Sequence, residues 1–381
     1  MTRIKSFDLY SVDLPFKKPF KHAAAARNSS SSVFLKCTTD SGISGFGECL
    51  PRPYVTGETR EGVFDTLRSK VLPQLIGKEF GSLDEVKAFL HACDGKALPE
   101  WLPPDQPQSA AWCAVDLALL DTFGRAFKEK VRLNEHDTFP QSVRYSVVVS
   151  SDAGVKTMLL IRLAAIPQVK IKVEKEGSVE SAQRVRRFLG PRCDIRADAN
   201  MAWSVDEALE KMRALAELGI HSFEQPLVAD DIDGLARLVR ESGFGVMVDE
   251  SLHDRESMDR VIAQKACSSV NIRISKCGGL VAAYKRCRQA LDGGLVVQIG
   301  CQVGESSLLS AAHLSLVTAV RDVTYAEGCF GSLLLREDPA GPQLQFGFRG
   351  KNPGLPESPG LGVDMNESTL ERWTSKAVNI H

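Results

Sequence analysis

The chain has 381 residues, a formal net charge of −1 and a pI near 6.7. Hydrophobic residues make up 43% and charged residues 25%, which is ordinary for a globular protein. This balanced charge provides no broad field for nucleic acid or an anionic membrane, so we expect a small-molecule substrate.

Ten cysteines are spread between Cys37 and Cys329 without a CxxC pair. A chain of this length has no need of disulfides, so they are interpreted as reduced, mostly buried thiols. The first residues lack the apolar core of a signal peptide, and no run of 18 apolar residues occurs. We predict a cytoplasmic protein.

In the N-terminal part of the chain, apolar and polar residues alternate as they do in β-strands. Residues 3–14 predict a first strand, and residues 33–39 and 43–49 predict a hairpin around Asp40-Ser41-Gly42. Two polar segments, 17–32 and 51–59, interrupt this pattern and are interpreted as functional loops.

Apolar residues then recur at helical spacing over 59–93 and 108–127. A short antiparallel sheet followed by helices predicts an α+β capping domain over residues 1–135, with loops 17–32 and 51–59 as its specificity loops.

From residue 143 onwards, strand-like and helix-like runs alternate, and Ser204 with Glu207 forms a predicted capping box. A charged residue ends successive apolar runs at a step of about 26 residues, which is the size of one βα unit. This charged series consists of Lys172, Asp198, Glu224, Asp249 and Lys276.

Residues 295–300 and 322–327 supply the seventh and eighth strands, so the series predicts an α/β barrel over 136–339. The Pro- and Gly-rich segment 340–381 has too little apolar periodicity for a core, and we expect it to pack back on the capping domain.

In a closed parallel barrel the strand ends converge on one face. Three carboxylates there would repel one another without a cation, and oxygen ligands favour a hard ion such as Mg²⁺. Lys170 and Lys172 lie two residues apart and point inward together, so their crowding should lower both pKa values. Lys276 should lie across the barrel from Lys172.

Short motifs occur along the chain: KIK at 170–172, DAN at 198–200, FEQP at 223–226, DES at 249–251, SKCGG at 275–279, GFGE at 45–48 and CAVDLALLD at 113–121. In their order and spacing, these motifs resemble the enolase superfamily, specifically its muconate lactonizing enzyme subgroup (mandelate racemase/muconate lactonizing enzyme family).

The resemblance implies an α/β fold: a modified TIM barrel, (β/α)7β, with the α+β capping domain. It also implies that Asp198, Glu224 and Asp249 bind Mg²⁺, with Mn²⁺ as a possible substitute. Lys172 and Lys276 would be the acid/base catalysts.

The supporting groups follow from the same resemblance. Lys170 would assist Lys172, Glu250 would hydrogen-bond Lys276, and Asn200 would support the metal site. Family members are commonly homo-oligomers, so we expect one here. Residues that would select the substrate are His22, Arg52, Tyr54, Thr56, Glu327 and Cys329.

The implied function is a Mg²⁺-dependent isomerase that removes the proton α to a substrate carboxylate and stabilises the enediolate. The overall reaction is a cycloisomerisation of the muconate type or the racemisation or epimerisation of an amino-acid derivative. Two alternatives remain open: a lyase of the same family, similar to o-succinylbenzoate synthase, and a non-catalytic barrel protein.

Overall fold

The computed structural model describes residues 1–22, 25–103, 105–136, 138–150, 152–173 and 175–381. Within them, an antiparallel sheet with helices covers one end of an eight-stranded parallel sheet that is surrounded by helices. The predicted fold class is confirmed. In the described ranges, none of the helices combines the length and the apolar character that crossing a membrane requires.

The cap sheet has the order β15-β1-β2-β3, and a short β4 also pairs with β1. The predicted hairpin is confirmed, since Val33 pairs with Cys49 and Thr38 with Ser44. The strands of this sheet are β1 (Thr2–His22), β2 (Ala25–Thr39), β3 (Ser44–Cys49), β4 (Glu79–Phe80) and β15 (Thr374–Ile380).

The expected loop 17–32 is wrong for its described part, which continues β1 and β2 as a long hairpin. Leu14 pairs with Ser30 and Val12 with Ser32. Both serines are buried, because a small hydroxyl can occupy an inward strand position. The polar composition therefore concealed the strand alternation.

Helix α5 packs directly on β3. A Cβ added at Gly47 would lie 2.0 Å from the carbonyl oxygen of Ala114, and one at Gly45 would lie 2.3 Å from the amide of Thr122. These glycines permit the close approach of strand and helix. The cap helices are α1 (Pro53–Thr56), α2 (Arg60–Thr66), a π-helical turn (Leu67–Val71), α3 (Leu72–Leu75), α4 (Leu83–Cys93) and α5 (Ser109–Phe127).

The second sheet runs in chain order from β5 to β12, and all its pairs are parallel. A parallel bridge between Tyr145 and Ala326 joins the first and last strands, which closes the barrel. Its strands are β5 (Val147–Val149), β6 (Gln168–Lys172), β7 (Asp194–Asp198), β8 (Ser222–Glu224), β9 (Gly245–Val248), β10 (Ser269–Arg273), β11 (Val296–Gly300) and β12 (Tyr325–Ala326).

Helices follow the barrel strands. The predicted capping box is confirmed: Ser204 Oγ accepts from the amide of Glu207, and Glu207 Oε2 accepts from the amide of Ser204. The barrel helices are α6 (Val155–Leu163), α7 (Ser178–Leu189), α8 (Val205–Ala216), α9 (Ile232–Ser242), α10 (Arg255–Ala263), α11 (Ile274–Cys277), α12 (Leu280–Asp292) and α13 (Ser307–Val320).

Helix α14 (Gly331–Leu334) precedes the predicted C-terminal segment. That segment contains β13 (Ala340–Gly341), a 3₁₀ turn (Phe348–Gly350), β14 (Asp364–Met365) and α15 (Glu367–Arg372). Its last strand, β15, pairs antiparallel with β1, with Phe7 opposite Ile380. The exact division into residues 1–135, 136–339 and 340–381 stays a prediction.

Candidate active site

The register of the parallel strands brings the first members of the charged series side by side. Lys172 is paired with Asp198, and Asp198 with Glu224. Asp249 follows the end of β9. The three carboxylate residues are 2%, 2% and 0% exposed, so their charges need compensation from nearby groups.

Lys276 does not belong to a strand, because β10 ends at Arg273 and Lys276 lies in the one-turn helix α11. Its ammonium is fully buried and donates to Asp249 Oδ1 at 2.7 Å, to the Asp249 carbonyl at 2.6 Å and to the Asn271 carbonyl at 2.8 Å. Strands β7, β8 and β9 separate β6 from β10, so the two strands that lead to Lys172 and Lys276 lie on opposite sides of the barrel.

Lys172 is half-buried, and its Nζ donates to Asn200 Oδ1 at 2.7 Å. The Asn200 amide in turn donates to Asp198 Oδ1 at 3.1 Å. Burial, together with the charges of Lys170 and Arg273, lowers the pKa of Lys172 despite the nearby Asp198. This lysine therefore releases its proton more readily than a lysine in water.

The pKa of Lys170 is shifted in the opposite direction to that of Lys172. Burial disfavours its ammonium, but Glu224, Glu327 and Asp198 raise its pKa well above the usual range. Its Nζ lies 3.0 Å from Glu224 Oε2, 2.8 Å from Glu327 Oε2 and 3.5 Å from Asp198 Oδ2. The prediction that crowding lowers both lysine pKa values is thus wrong for Lys170, which stays a cation.

Glu224 is surrounded by donors. Besides Lys170, Asn271 Nδ2 donates to Oε1 at 2.8 Å and Gln298 Nε2 donates to Oε2 at 3.3 Å. Burial opposes ionisation, yet Lys170 and Arg273 lower the pKa of Glu224 to about 2. This side chain is therefore a carboxylate at neutral pH.

Arg273 places its guanidinium between two of the acids. Its Nη2 donates to Asp249 Oδ2 and lies 3.7 Å from Glu224 Oε1. Three buried carboxylates on adjacent strands are the donor type that Mg²⁺ prefers. Within the described residues, however, no three His, Cys, Asp or Glu side chains are grouped to hold one ion. The carboxylate ligands are therefore of the type that fits Mg²⁺, and in this structure the Arg273 guanidinium compensates the charge of Asp249.

Glu327 is not open to a substrate as a specificity residue would be. It is buried between Lys170 and Arg196, whose Nη2 donates to Glu327 Oε1 at 2.7 Å. Arg196 also donates to Ser146 Oγ at 2.9 Å and lies 3.9 Å from the centre of the Tyr325 ring. Glu327 is thus a counter-ion for two buried cations.

The sequence interpretation missed the inward polar residues that complete this network: Arg196, Asn271, Arg273 and Gln298. A signal was available, because alternate strand residues share a face. Arg196 lies two positions before Asp198 on β7, and Arg273 lies two positions after Asn271 on β10.

Glu250 was expected to hydrogen-bond Lys276, but the ammonium uses other acceptors. Among the described residues, Glu250 Oε2 has no hydrogen-bond partner. Burial and the adjacent Asp249 raise the pKa of Glu250 to about 8. It lines a cavity of about 410 Å³ between the cap and the barrel, which Tyr54 and Thr56 also line.

Arg52 and Thr56, two of the candidate specificity residues on the cap, are buried. Arg52 is buried, and its guanidinium donates to the Ser31 carbonyl at 2.8 Å and the Pro51 carbonyl at 2.9 Å. Thr56 Oγ1 hydrogen-bonds the backbone of Arg52. Both side chains therefore stabilise the local backbone through hydrogen bonds.

Tyr54 is 40% exposed, and the Arg27 guanidinium lies 5.5 Å from its ring centre. The side chain of His22 lies outside the described residues. Cys329 is buried, and burial raises the pKa of its thiol to about 12, so it is a neutral thiol. Tyr54 thus presents an accessible ring on the cap.

Comparisons with known proteins show the family of the chain. Residues 6–132 match the model for the mandelate racemase / muconate lactonizing enzyme N-terminal domain, and residues 156–369 match the enolase C-terminal domain-like model. The chain belongs to the enolase superfamily, in its mandelate racemase/muconate lactonizing enzyme group. The family expected from the motifs is confirmed.

Relatives of this enolase superfamily member match it over almost the full length. An N-succinyl-L-Arg/Lys racemase of Bacillus cereus is 29% identical over 98% of both chains. An L-Ala-D/L-Glu epimerase of Clostridium acetobutylicum is 28% identical over 95% of this chain and 98% of the relative. A chloromuconate cycloisomerase of Cupriavidus pinatubonensis is 25% identical over 95% of this chain and 96% of the relative.

The crystal structure of the N-succinyl Arg/Lys racemase from Bacillus cereus superposes with a TM-score of 0.89 at 28% identity, and each chain is covered completely. Racemases, epimerases and cycloisomerases are all isomerases. The chain is an isomerase of the enolase superfamily, as the motifs predicted.

Proposed function

We propose that the chain racemises or epimerises an N-acylated amino acid by moving the proton α to its carboxylate. The observation that carries the proposal is the pair of lysines, Lys172 and Lys276, which flank three buried carboxylates from opposite sides of the barrel. The full-length relationship to an N-succinyl-amino-acid racemase favours this reaction over cycloisomerisation.

Asp198, Glu224 and Asp249 would hold Mg²⁺, or Mn²⁺ in its place, because enolase superfamily sites combine a Lys or His base with Mg²⁺. The ion would supply positive charge to the oxygens of the substrate carboxylate while the α-proton is absent. Lysine and arginine already compensate the acids, so an added dication favours an anionic substrate.

The two lysines have different surroundings: Lys172 donates to Asn200, whereas Lys276 donates to Asp249 and to the Asn271 carbonyl. A lowered pKa prepares Lys172 Nζ to accept the α-proton from one face of the substrate. The Lys276 ammonium is oriented by its three acceptors and would deliver a proton to the other face. For the opposite enantiomer, Lys276 would accept the proton and Lys172 would return it. Lys170 stays charged and would fix Glu224.

The test is proton exchange in deuterated water. The protein is incubated with Mg²⁺ and a panel of N-succinyl amino acids, dipeptides and muconates, and each product is examined by mass spectrometry and chiral chromatography. We expect deuterium at Cα together with racemisation. Lactone formation from a muconate would instead indicate cycloisomerisation, and loss of water from a β-hydroxy carboxylate added to the panel would indicate the lyase.

Single variants separate the two bases. Lys172→Ala should abolish exchange from one enantiomer and Lys276→Ala exchange from the other. Lys175→Ala is the matched control, since this lysine is 65% exposed and pairs with Glu207. Exchange of both enantiomers that persists in Lys172→Ala and in Lys276→Ala would refute the two-base mechanism.

A further inference from the structure

Arg273 is a residue that proton transfer does not use, although it lies among the candidate metal ligands. It is the last residue of β10, and its side chain is 13% exposed, so it keeps a path to solvent. Its Nη2 donates to Asp249 Oδ2 and lies 3.7 Å from Glu224 Oε1. The guanidinium therefore approaches two acids from different strands at once.

The oxygens of Asp249 already have cationic partners in this arrangement. Lys276 Nζ donates to Asp249 Oδ1 at 2.7 Å, and Arg273 Nη2 donates to Asp249 Oδ2. Glu224 is likewise bound by Lys170 at 3.0 Å. A divalent ion that bridged Asp249 and Glu224 would be brought close to the guanidinium, and two positive charges at such a distance repel strongly in a buried site.

Acidic side chains hold the guanidinium in this position, since Asp249, Glu250, Glu224 and Asp198 all attract it. Among the described residues, Arg273 Nε is buried without a hydrogen-bond partner. A rotation of the side chain towards solvent would therefore break its bond to Asp249 and would allow Nε to be hydrated. The docked position depends on the negative charge of the acids, which an ion would neutralise.

We propose that Arg273 is an internal counter-cation: it holds Asp249 and Glu224 when the metal is absent, and it competes with the divalent ion for them. Binding of the ion then requires the guanidinium to leave Asp249. The inference depends on the metal site of the proposed function. It makes Arg273 a positioning residue that sets metal affinity.

The size of the effect follows from the population of the docked state. In the docked state the Arg273 guanidinium is bound to Asp249, and in the undocked state it has left Asp249. If Mg²⁺ binds only the undocked state, its apparent dissociation constant equals the intrinsic constant divided by the undocked fraction. A docked population of about 90% therefore weakens Mg²⁺ binding about tenfold. A neutral side chain at position 273 removes this competition. A lysine, which lacks the planar fork of arginine, should compete less well.

The experiment measures Mg²⁺ binding directly. The full chain is stripped with chelator, and Mg²⁺ is titrated by calorimetry into the wild type, Arg273→Met, Arg273→Gln and Arg273→Lys, with Arg237→Met as a surface control. Both neutral variants should bind Mg²⁺ about tenfold more tightly than the wild type, the lysine variant should lie between, and the control should match the wild type.

Thermal melting gives a second readout that needs no substrate. Without metal, the neutral variants should melt at a lower temperature than the wild type, because the acids lose a counter-cation, and Mg²⁺ should raise their melting temperature by a larger amount. Equal or weaker Mg²⁺ binding by folded neutral variants would overturn the role of Arg273 while leaving the metal site intact. Absence of Mg²⁺ binding in every variant would refute the metal site itself.

Discussion

Replacement of the buried Glu327 by glutamine should destabilise the protein far more than replacement of a surface glutamate by glutamine. Glu327 is 4% exposed and accepts from Arg196 at 2.7 Å and Lys170 at 2.8 Å. Glutamine keeps the shape but removes the negative charge from both cations. Removal of one partner of a buried ion pair costs about 3–5 kcal/mol, and we expect a loss of that size in the free energy of unfolding.

The assay is urea unfolding of the metal-free protein, followed by circular dichroism. The matched control is Glu367→Gln, since Glu367 pairs with Lys36 at 2.7 Å but is 47% exposed, and such surface pairs contribute about 0–1 kcal/mol. Equal unfolding midpoints for Glu327→Gln and Glu367→Gln would refute the reasoning. A stable Glu327→Gln variant with a raised KM would instead restore Glu327 as a substrate-reading residue.

Three further predictions concern stability. Burial raises the pKa of Glu48 to about 8, so the folded chain retains a proton that the unfolded chain loses near 4.5. Stability should therefore fall by about 1.4 kcal/mol per pH unit from roughly pH 5 to 8, and Glu48→Gln should lack that contribution in unfolding titrations at several pH values. Gly47→Ala should cost about 3 kcal/mol in urea unfolding, because its Cβ would lie 2.0 Å from a carbonyl oxygen of α5, whereas Gly154→Ala, with open space around its Cβ, should change little. Ser204→Ala removes the cap of α8 and should lower stability by about 1 kcal/mol; an unchanged melting temperature would contradict this.

The sequence predicted the part of the site that repeats. Each βα unit carries its charged residue near the end of its strand, so the spacing of Asp198, Glu224 and Asp249 predicts that they lie on one face of the barrel. The strand register pairs Asp198 with Glu224, and Asp249 directly follows β9, while binding of one metal ion by all three stays a prediction. Lys276 was assigned to the end of a strand but lies in the following helical turn, since spacing alone does not distinguish the last strand residue from the turn after it.

The pairing among those side chains could not be predicted in the same way. Arg196 and Arg273 occur in short runs that are also typical of a solvated strand face, and their partners come from other strands. The acid that each arginine contacts is determined by how the strands of the closed barrel are arranged around each other. The pairing of Glu327 was missed for the same reason, because its counter-ions Lys170 and Arg196 come from β6 and β7. Its role in substrate selection stays a prediction.

The pairing of β15 with β1 has a consequence for how the molecule is made. Strand β1 is synthesised well before its neighbour at one edge, β15, because the strands and helices of the barrel lie between them in the chain. Until then this edge presents unpaired amide and carbonyl groups, which are a template for pairing with another nascent chain. Products that stop before residue 374 should therefore self-associate, and chaperone protection of this edge would matter until β15 has been synthesised.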